Sequence, residues 1–320
     1  MALGCLVDVG GTAEVDLEPT RLRHALARGD YLWLDVGGPR EADLRGVQEA
    51  FGFHELAIED SLTWGQRPKL EEYDDFVFLV VYGWAPDEDG LVEVHCYYSP
   101  RFLVTVHRDQ APALEDVRPR AERVLARGED PILVLHQVVD ALVDSFAPPL
   151  ERMDDRLEQI EDELLARPSD RQMQEILAMR RHLAHLRKAI APQRDLFGGV
   201  LGGVVELPGM TREAERYFRD VYDHLFRLAE MTDAYRDLIT GTIDVYLSTA
   251  SNRLGAVTKQ LTLIATIFLP LTFVSGFFGQ NFRWMVDHID SWPAFVGLGI
   301  GLQLATIGLV VAYFRRHGWF

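Results

Sequence analysis

The chain has 320 residues and carries 49 acidic against 32 basic side chains, a formal net charge of −17. That balance excludes a protein built to hold nucleic-acid phosphates, which needs a basic face. The two cysteines, Cys5 and Cys96, lie far apart and form no CxxC pair, so no zinc ribbon or disulfide scaffold is expected. They read as small buried hydrophobes in a reducing compartment.

The N-terminal run MALGCLVDVGG has no charged n-region and too short an apolar stretch for a secretory signal. Within it, Asp8-Val9-Gly10-Gly11-Thr12 resembles a phosphate-cradling turn. The similar string Asp35-Val36-Gly37-Gly38-Pro39 shows how readily such a run arises. No GxxxxGK[ST], HExxH or GxSxG accompanies either, so no enzyme is expected. Strands are predicted at Tyr31–Val36, Phe76–Tyr82, Leu91–Tyr97 and Phe102–His107, which are rich in β-branched and aromatic residues. Asp87-Glu88-Asp89-Gly90 is a hairpin signal between two of them. Helical patterns at Leu22–Arg28, Arg40–Phe51 and Leu56–Ser61 intervene, which makes an α/β domain with a mixed sheet over residues 1–130.

Beyond it the period becomes helical. Ile132–Arg167 reads as one long helix stopped at Pro168, and Ser169 or Asp170 caps the next, from Arg171 to about Gly198. The acidic run Glu151–Glu163 reads as a solvated helix face, and His182 and His185, three apart, as surface histidines before a metal pair. Gly198-Gly199 and Leu207-Pro208-Gly209 mark a loop, after which Thr211 caps a third helix. No breaker but single glycines intervenes before Pro270, so this helix is expected to run on for about 60 residues, or about 90 Å at 1.5 Å each. A helix that long needs partners, as in a stalk within an oligomer. Residues 131–257 are assigned to this stalk region.

Residues 258–320 hold two uncharged apolar runs, Leu261–Phe278 and Ser291–Phe314, joined through Gly279-Gln280-Asn281. A bilayer core of about 30 Å needs roughly 20 apolar helical residues, so the runs predict a membrane-spanning hairpin. Arg253 and Lys259 precede the first span and Arg315 and Arg316 come after the second, whereas the connector holds Arg283 against Asp287 and Asp290. Both termini are therefore expected in the cytoplasm. Gly255, Thr258, Leu261, Ala265, Leu269, Thr272 and Gly276 recur at three or four residues and share one side. That side is either a packing face or, in a symmetric ring, a pore lining with apolar collars at Leu261 and Leu269. Gly297, Gly299 and Gly301 favour close packing of the second span, which is placed outside the first.

Three long segments together resemble the CorA family of divalent-cation channels: Asn252–Asn281 its pore helix and Gly-Met-Asn tripeptide, Tyr217–Asn252 its stalk, and His54–Tyr73 part of its soluble domain. The resemblance covers almost the whole chain. It implies a funnel-shaped homopentamer in a cell membrane, with the first span lining the pore. It also implies transport of Mg2+, with Co2+ or Ni2+ as further cargo. Asn281 is chemically suited to that task, because an amide oxygen is a neutral hard acceptor able to hold the waters of a hydrated ion. The chain departs from the family at Gln280, where Met is usual, at Thr258, where Met is frequent, and at Met285-Val286-Asp287-His288 in place of Met-Pro-Glu-Leu. Asp287 and Asp290 keep the outer mouth negative, and His288 could favour a softer ion such as Zn2+. Cytosolic Mg2+ sensing is carried over by resemblance to Glu59, Asp60 and Asp220, with Asp223 one turn further on the same face. Two other readings stand beside the channel: a proton-coupled zinc carrier resembling the family's ZntB branch, and a membrane-anchored cation sensor that does not conduct.

Overall fold

The computed structural model describes residues 4–8, 11–15, 26–27, 31–85, 90–127, 129–166, 168–280, 283–289 and 291–319. It divides into two compact units, Met1–Ile243 and Asp244–Phe320.

The first unit is built on a seven-stranded sheet of β1 (Gly4–Asp8), β2 (Gly11–Val15), β3 (Leu32–Gly37), β4 (Lys69–Glu72), β5 (Val77–Trp84), β6 (Leu91–Ser99) and β7 (Phe102–His107), in the order β2-β1-β3-β7-β6-β5-β4. Only β3 and β7 run parallel, so the sheet is mixed as expected. All four predicted strands are present. β5 and β6 form the predicted hairpin, in register from Val77 opposite Tyr98 to Trp84 opposite Leu91; of its turn, residues 86–89 lie outside the described residues. Asp8 pairs with Gly11 across the β1–β2 hairpin. Of the phosphate-like string, Asp8 ends β1 and Gly11 and Thr12 open β2, while Val9 and Gly10 lie outside the described residues.

Helices α1 (Glu41–Phe51) and α2 (Glu55–Leu62) follow β3, and α3 (Pro112–Ala126) follows β7. The helix expected at Leu22–Arg28 falls on residues of which only 26 and 27 are described, both helical. The single helix expected over Ile132–Arg167 is two helices, α4 (Ile132–Asp144) and α5 (Ala147–Ala166). Pro148 and Pro149 occupy the first turn of α5, where their missing amides cost nothing, and the chain bends just before them. α4 lies directly on β5: a Cβ at Gly83 would come within 2.7 Å of Leu142 Cδ2. β4 pairs with β5 only as far as Val80, which leaves later β5 amides without a strand partner. Side chains take over, with Tyr82 N–H donating to Gln193 Oε1 at 2.9 Å and Trp84 N–H to Ser145 Oγ at 2.6 Å. These bonds fasten the sheet to the α4–α5 junction and to α6 (Asp170–Leu201).

α6 passes through Gly198 and Gly199, the pair expected to lie in a loop. Gly198 serves packing instead, since a Cβ there would stand 3.1 Å from the Tyr222 ring. The turn comes at Gly202-Gly203, where Gly203 takes a φ of +70°. Thr211 then caps α7 as expected, accepting from Ala214 N–H at 3.2 Å. α7 is 67 residues long, Arg212–Phe278, and continues through Pro270.

A buried ionic group ties β3 to β7. Asp35 accepts from Thr105 Oγ1 at 2.6 Å and Arg118 at 3.0 Å, and lies 3.3 Å from His107 Nε2. Burial alone would raise the Asp35 pKa, but hydrogen bonds from His107, Thr105 and Arg118 hold it below its usual value. Burial alone would lower His107, yet it is shifted up because the Asp35 bond and charge outweigh that burial. The histidine contribution stabilises the fold fully below the unfolded pKa of about 6.5 and is lost as pH rises through the folded value. The aspartate contribution is present above about 4 and is lost as pH falls. Thermal stability should therefore decline as pH rises above about 6.5 and through the raised His107 value. His107→Gln should flatten that slope; an unchanged slope in melting curves of the variant would assign the decline elsewhere.

In the second unit α7 ends at Phe278, a short helix α8 covers Arg283–His288, and α9 covers Trp292–Arg316, with a π-helical stretch at Phe295–Gly301. The end of α7 and the whole of α9 are long and apolar enough to cross a membrane.

Candidate ion path and cation-sensing site

All seven residues of the small face of α7, from Gly255 to Gly276, are exposed in the single chain, Leu261 by 66% and Leu269 by 71%. The less exposed positions of the same segment are Leu263, Ile267, Pro270, Leu271, Val274 and Phe278. At about 100° per residue these two sets lie on opposite sides of the helix. α9 bonds to α7 between them, with Gln303 Nε2 donating to Ser275 Oγ at 2.8 Å. The hairpin thus leaves the small face uncovered.

At the end of α7, Gly279 N–H donates to Ser275 O at 2.9 Å and Gln280 N–H to Phe277 O at 3.3 Å. Gly279 does not take a left-handed conformation. Its lack of a side chain matters for space, because a Cβ would meet the Ser275 carbonyl at 3.0 Å. Asn281 and Asp290 lie outside the described residues. Asp287 pairs with Arg283 at 3.7 Å, and both are exposed. His288 stacks on Trp284 and bonds through Nδ1 to the Trp284 carbonyl at 2.9 Å, so that nitrogen is engaged. Lys259 sits 5.7 Å over the Trp319 ring, which gathers it with Arg315 and Arg316 at one end of the hairpin.

The carboxylates expected to sense cations belong to the first unit. Glu59 and Asp60 lie in the last two turns of α2, a helix with no basic residue in its last turn. Glu59 is exposed, and Asp60 is held by Lys69 Nζ at 2.6 Å. Asp220 is 65% exposed on α7 and lies 3.9 Å from His224 Nε2. Among the described residues no hydrogen bond or ion pair within the chain joins the α2 carboxylates to Asp220 or Asp223.

Through His224, Asp220 meets a different group. Asp140, Asp144 and His224 present ligand atoms within 4.8 Å of one another, and His224 Nδ1 is 3.0 Å from Asp144 Oδ1. Asp223 is exposed and stands outside this group. Burial, then the charge of Asp144, pushes the Asp140 carboxyl above its usual range. Burial lowers His136 on the same face of α4 to about 4, so it is neutral at pH 7. Three carboxylates beside two imidazoles form a set with hard oxygen donors for Mg2+ and nitrogen donors for softer ions. The sequence did carry a signal for this group: His136, Asp140 and Asp144 are spaced by four, as are Asp220 and His224, so each set shares a helix face. The pairing across α4 and α7 has no local trace. His182, one of the two surface histidines, packs edge-on against Trp84 at 4.9 Å.

The family described as CorA-like Mg2+ transporter protein matches residues 28–316. The chain belongs to this family. It is 34% identical over 298 residues to the cobalt/magnesium transport protein CorA of Thermotoga maritima, a match that covers 90% of this chain and 83% of that one. It is 27% identical over 261 residues to the zinc transport protein ZntB of Yersinia enterocolitica, covering 78% and 76%. In fold it is similar to the complete structure of the CorA magnesium transporter from Methanocaldococcus jannaschii, at a TM-score of 0.81 and 23% identity over 100% of this chain and 99% of that one. The α/β domain, the long helix and the two C-terminal apolar helices are thus the CorA fold. As a member of this family of transporters the chain carries divalent metal cations across a membrane.

Proposed function

We propose that the chain is one subunit of a homopentameric channel that imports Mg2+, with Co2+ and Ni2+ as further cargo. The observation that carries this reading is the uncovered small face of α7, from Gly255 to Gly276, opposite the less exposed side of the same helix. Five such faces around an axis make a narrow path in which Leu261 and Leu269 form apolar collars able to close by dewetting. Gly279, Gln280 and Asn281 form the selectivity filter at its outer mouth, and Asp287 and Asp290 concentrate cations there. The clustering of Lys259 with Arg315 and Arg316 supports a cytoplasmic position for that end.

Regulation rests on Glu59 and Asp60 of one subunit facing Asp220 of the next, with Asp223 one turn on. Asp140, Asp144 and His224 extend the Asp220 side. Such carboxylates repel without metal and clamp with it, which gives a bistable interface biased by cytosolic Mg2+. A ZntB-like proton-coupled zinc carrier is a weaker reading. The two apolar runs hold no Asp, Glu or His for a proton relay, and Nδ1 of His288 is already bonded.

Flux into liposomes containing the purified protein distinguishes the readings. Mg2+ uptake down its gradient, indifferent to a pH gradient, is expected. Zn2+ uptake that tracks the proton gradient without Mg2+ flux would establish the carrier, and no flux of either ion would leave a sensor.

A further inference from the structure

Asp60 meets a cation within its own chain. Its Oδ2 lies 2.6 Å from Lys69 Nζ, which also lies 2.7 Å from Glu71 Oε1. Lys69 stands on β4 opposite Val80, and its ammonium passes 5.5 Å over the Phe78 ring. Gln66 Nε2 donates to Asp60 O at 2.6 Å and to Thr63 O at 3.0 Å, which fixes the end of α2 against this loop. These bonds hold the Asp60 backbone beside the loop that leads to Lys69.

The need for a cation there is electrostatic. Glu59 and Asp60 lie near the C-terminus of α2, where the partial negative charge of the helix end opposes them, and its last turn has no basic residue. Lys69 supplies the missing charge. The three groups are 28%, 30% and 39% exposed at Lys69, Asp60 and Glu71, so a solvated ion can reach them. Loss of Asp60 would not strand the ammonium. It keeps Glu71, whose other oxygen accepts from Tyr73 OH at 3.2 Å. Exchange of lysine for a metal ion thus breaks one ion pair of two.

We infer that Lys69 is a tethered counter-ion that competes with the divalent cation for Asp60 and sets the internal cation concentration at which the channel closes. This inference rests on the sensing role proposed above for Asp60. A partly exposed ion pair is weak enough to be displaced by a divalent ion, yet strong enough to shift the apparent affinity by about twofold to fivefold. Glu71 acts in the opposite sense, because it draws the ammonium away from Asp60.

The test uses the full-length protein in liposomes, with Mg2+ uptake measured against internal Mg2+ and normalised to each variant's own maximum. Protection from trypsin by added MgCl2 gives a second readout independent of flux. Lys69→Met should lower the half-inhibiting and half-protecting Mg2+ concentrations by about twofold to fivefold. Lys69→Arg should restore them toward the parent values, and Glu71→Gln should raise them. If Asp60→Asn weakens inhibition but Lys69→Met and Glu71→Gln leave both midpoints unchanged, the competition is overturned and the sensor stands. If Asp60→Asn changes neither midpoint, the sensor reading falls and this inference with it. Should Lys69→Met not assemble, the Lys69→Arg and Glu71→Gln pair decides, since equal midpoints in both would overturn the proposal.

Discussion

Asn281→Ala should reduce selective Mg2+ uptake at least about tenfold, or open the pore to ions the parent rejects. Each subunit would lose one neutral acceptor for the water shell of the entering ion. A hydrogen bond contributes about 0.5–1.5 kcal/mol net. Five lost together amount to about 2.5 kcal/mol at the low end, more than the roughly 1.4 kcal/mol that makes a factor of ten. Asn281→Asp provides the contrast. A ring of carboxylates would hold the ion more tightly and slow its exit, so uptake should fall while the affinity for blocking divalent ions rises. Parent-like Mg2+ flux and ion preference in Asn281→Ala liposomes would remove this residue from the filter. Gln280 is the companion test, because it adds an amide where the family usually has a thioether; Gln280→Met should bring ion preference toward that of relatives with Gly-Met-Asn.

Asp220→Lys should abolish closure by internal Mg2+, moving the half-inhibiting concentration up by more than about tenfold. The substitution replaces a proposed metal ligand with a fixed ammonium beside His224 and the Asp140–Asp144 pair. Opposite charge in the parent favours a divalent ion; like charge in the variant repels it. Asp220 is 65% exposed, so folding should change by no more than about 0.5 kcal/mol and loss of regulation can be separated from loss of structure. Asp60→Lys should act in the same direction. An unaltered dose response to internal Mg2+ in both variants would reject the sensor. The Asp144→Asn variant then tells whether the group across α4 and α7 takes part: a partial shift is expected, because it removes one ligand of several.

The membrane hairpin was legible from the chain alone because hydropathy is a property of consecutive residues. Leu261–Phe278 and Ser291–Phe314 needed no knowledge of what they touch. The strands and the Thr211 cap were legible for the same reason, since alternation and side-chain capping act over a few residues. Helix ends were read less well where packing overrode local signals. Gly198 and Gly199 read as a break but lie inside α6, where the space beside Tyr222 excludes a side chain at Gly198. Between Asp144 and Ala147 the helical pattern runs on, but the chain turns, because Pro148 and Pro149 start a helix better than they continue one.

The candidate sites divide in the same way. By itself the sequence determined the small face of α7, a pattern at fixed spacing along one element, whereas the Gly279-Gln280-Asn281 tripeptide and the carboxylates Glu59, Asp60 and Asp220 were singled out by the family resemblance. Only the tertiary structure decided which of these faces stay open. It bonded α9 to Ser275, beside the small face and not on it, placed Lys69 of β4 on Asp60 of α2, and brought His224 to Asp144 across 80 residues of chain. Charge pairing between elements depends on distance in space, and the attraction of two groups leaves no periodicity in the residues between them.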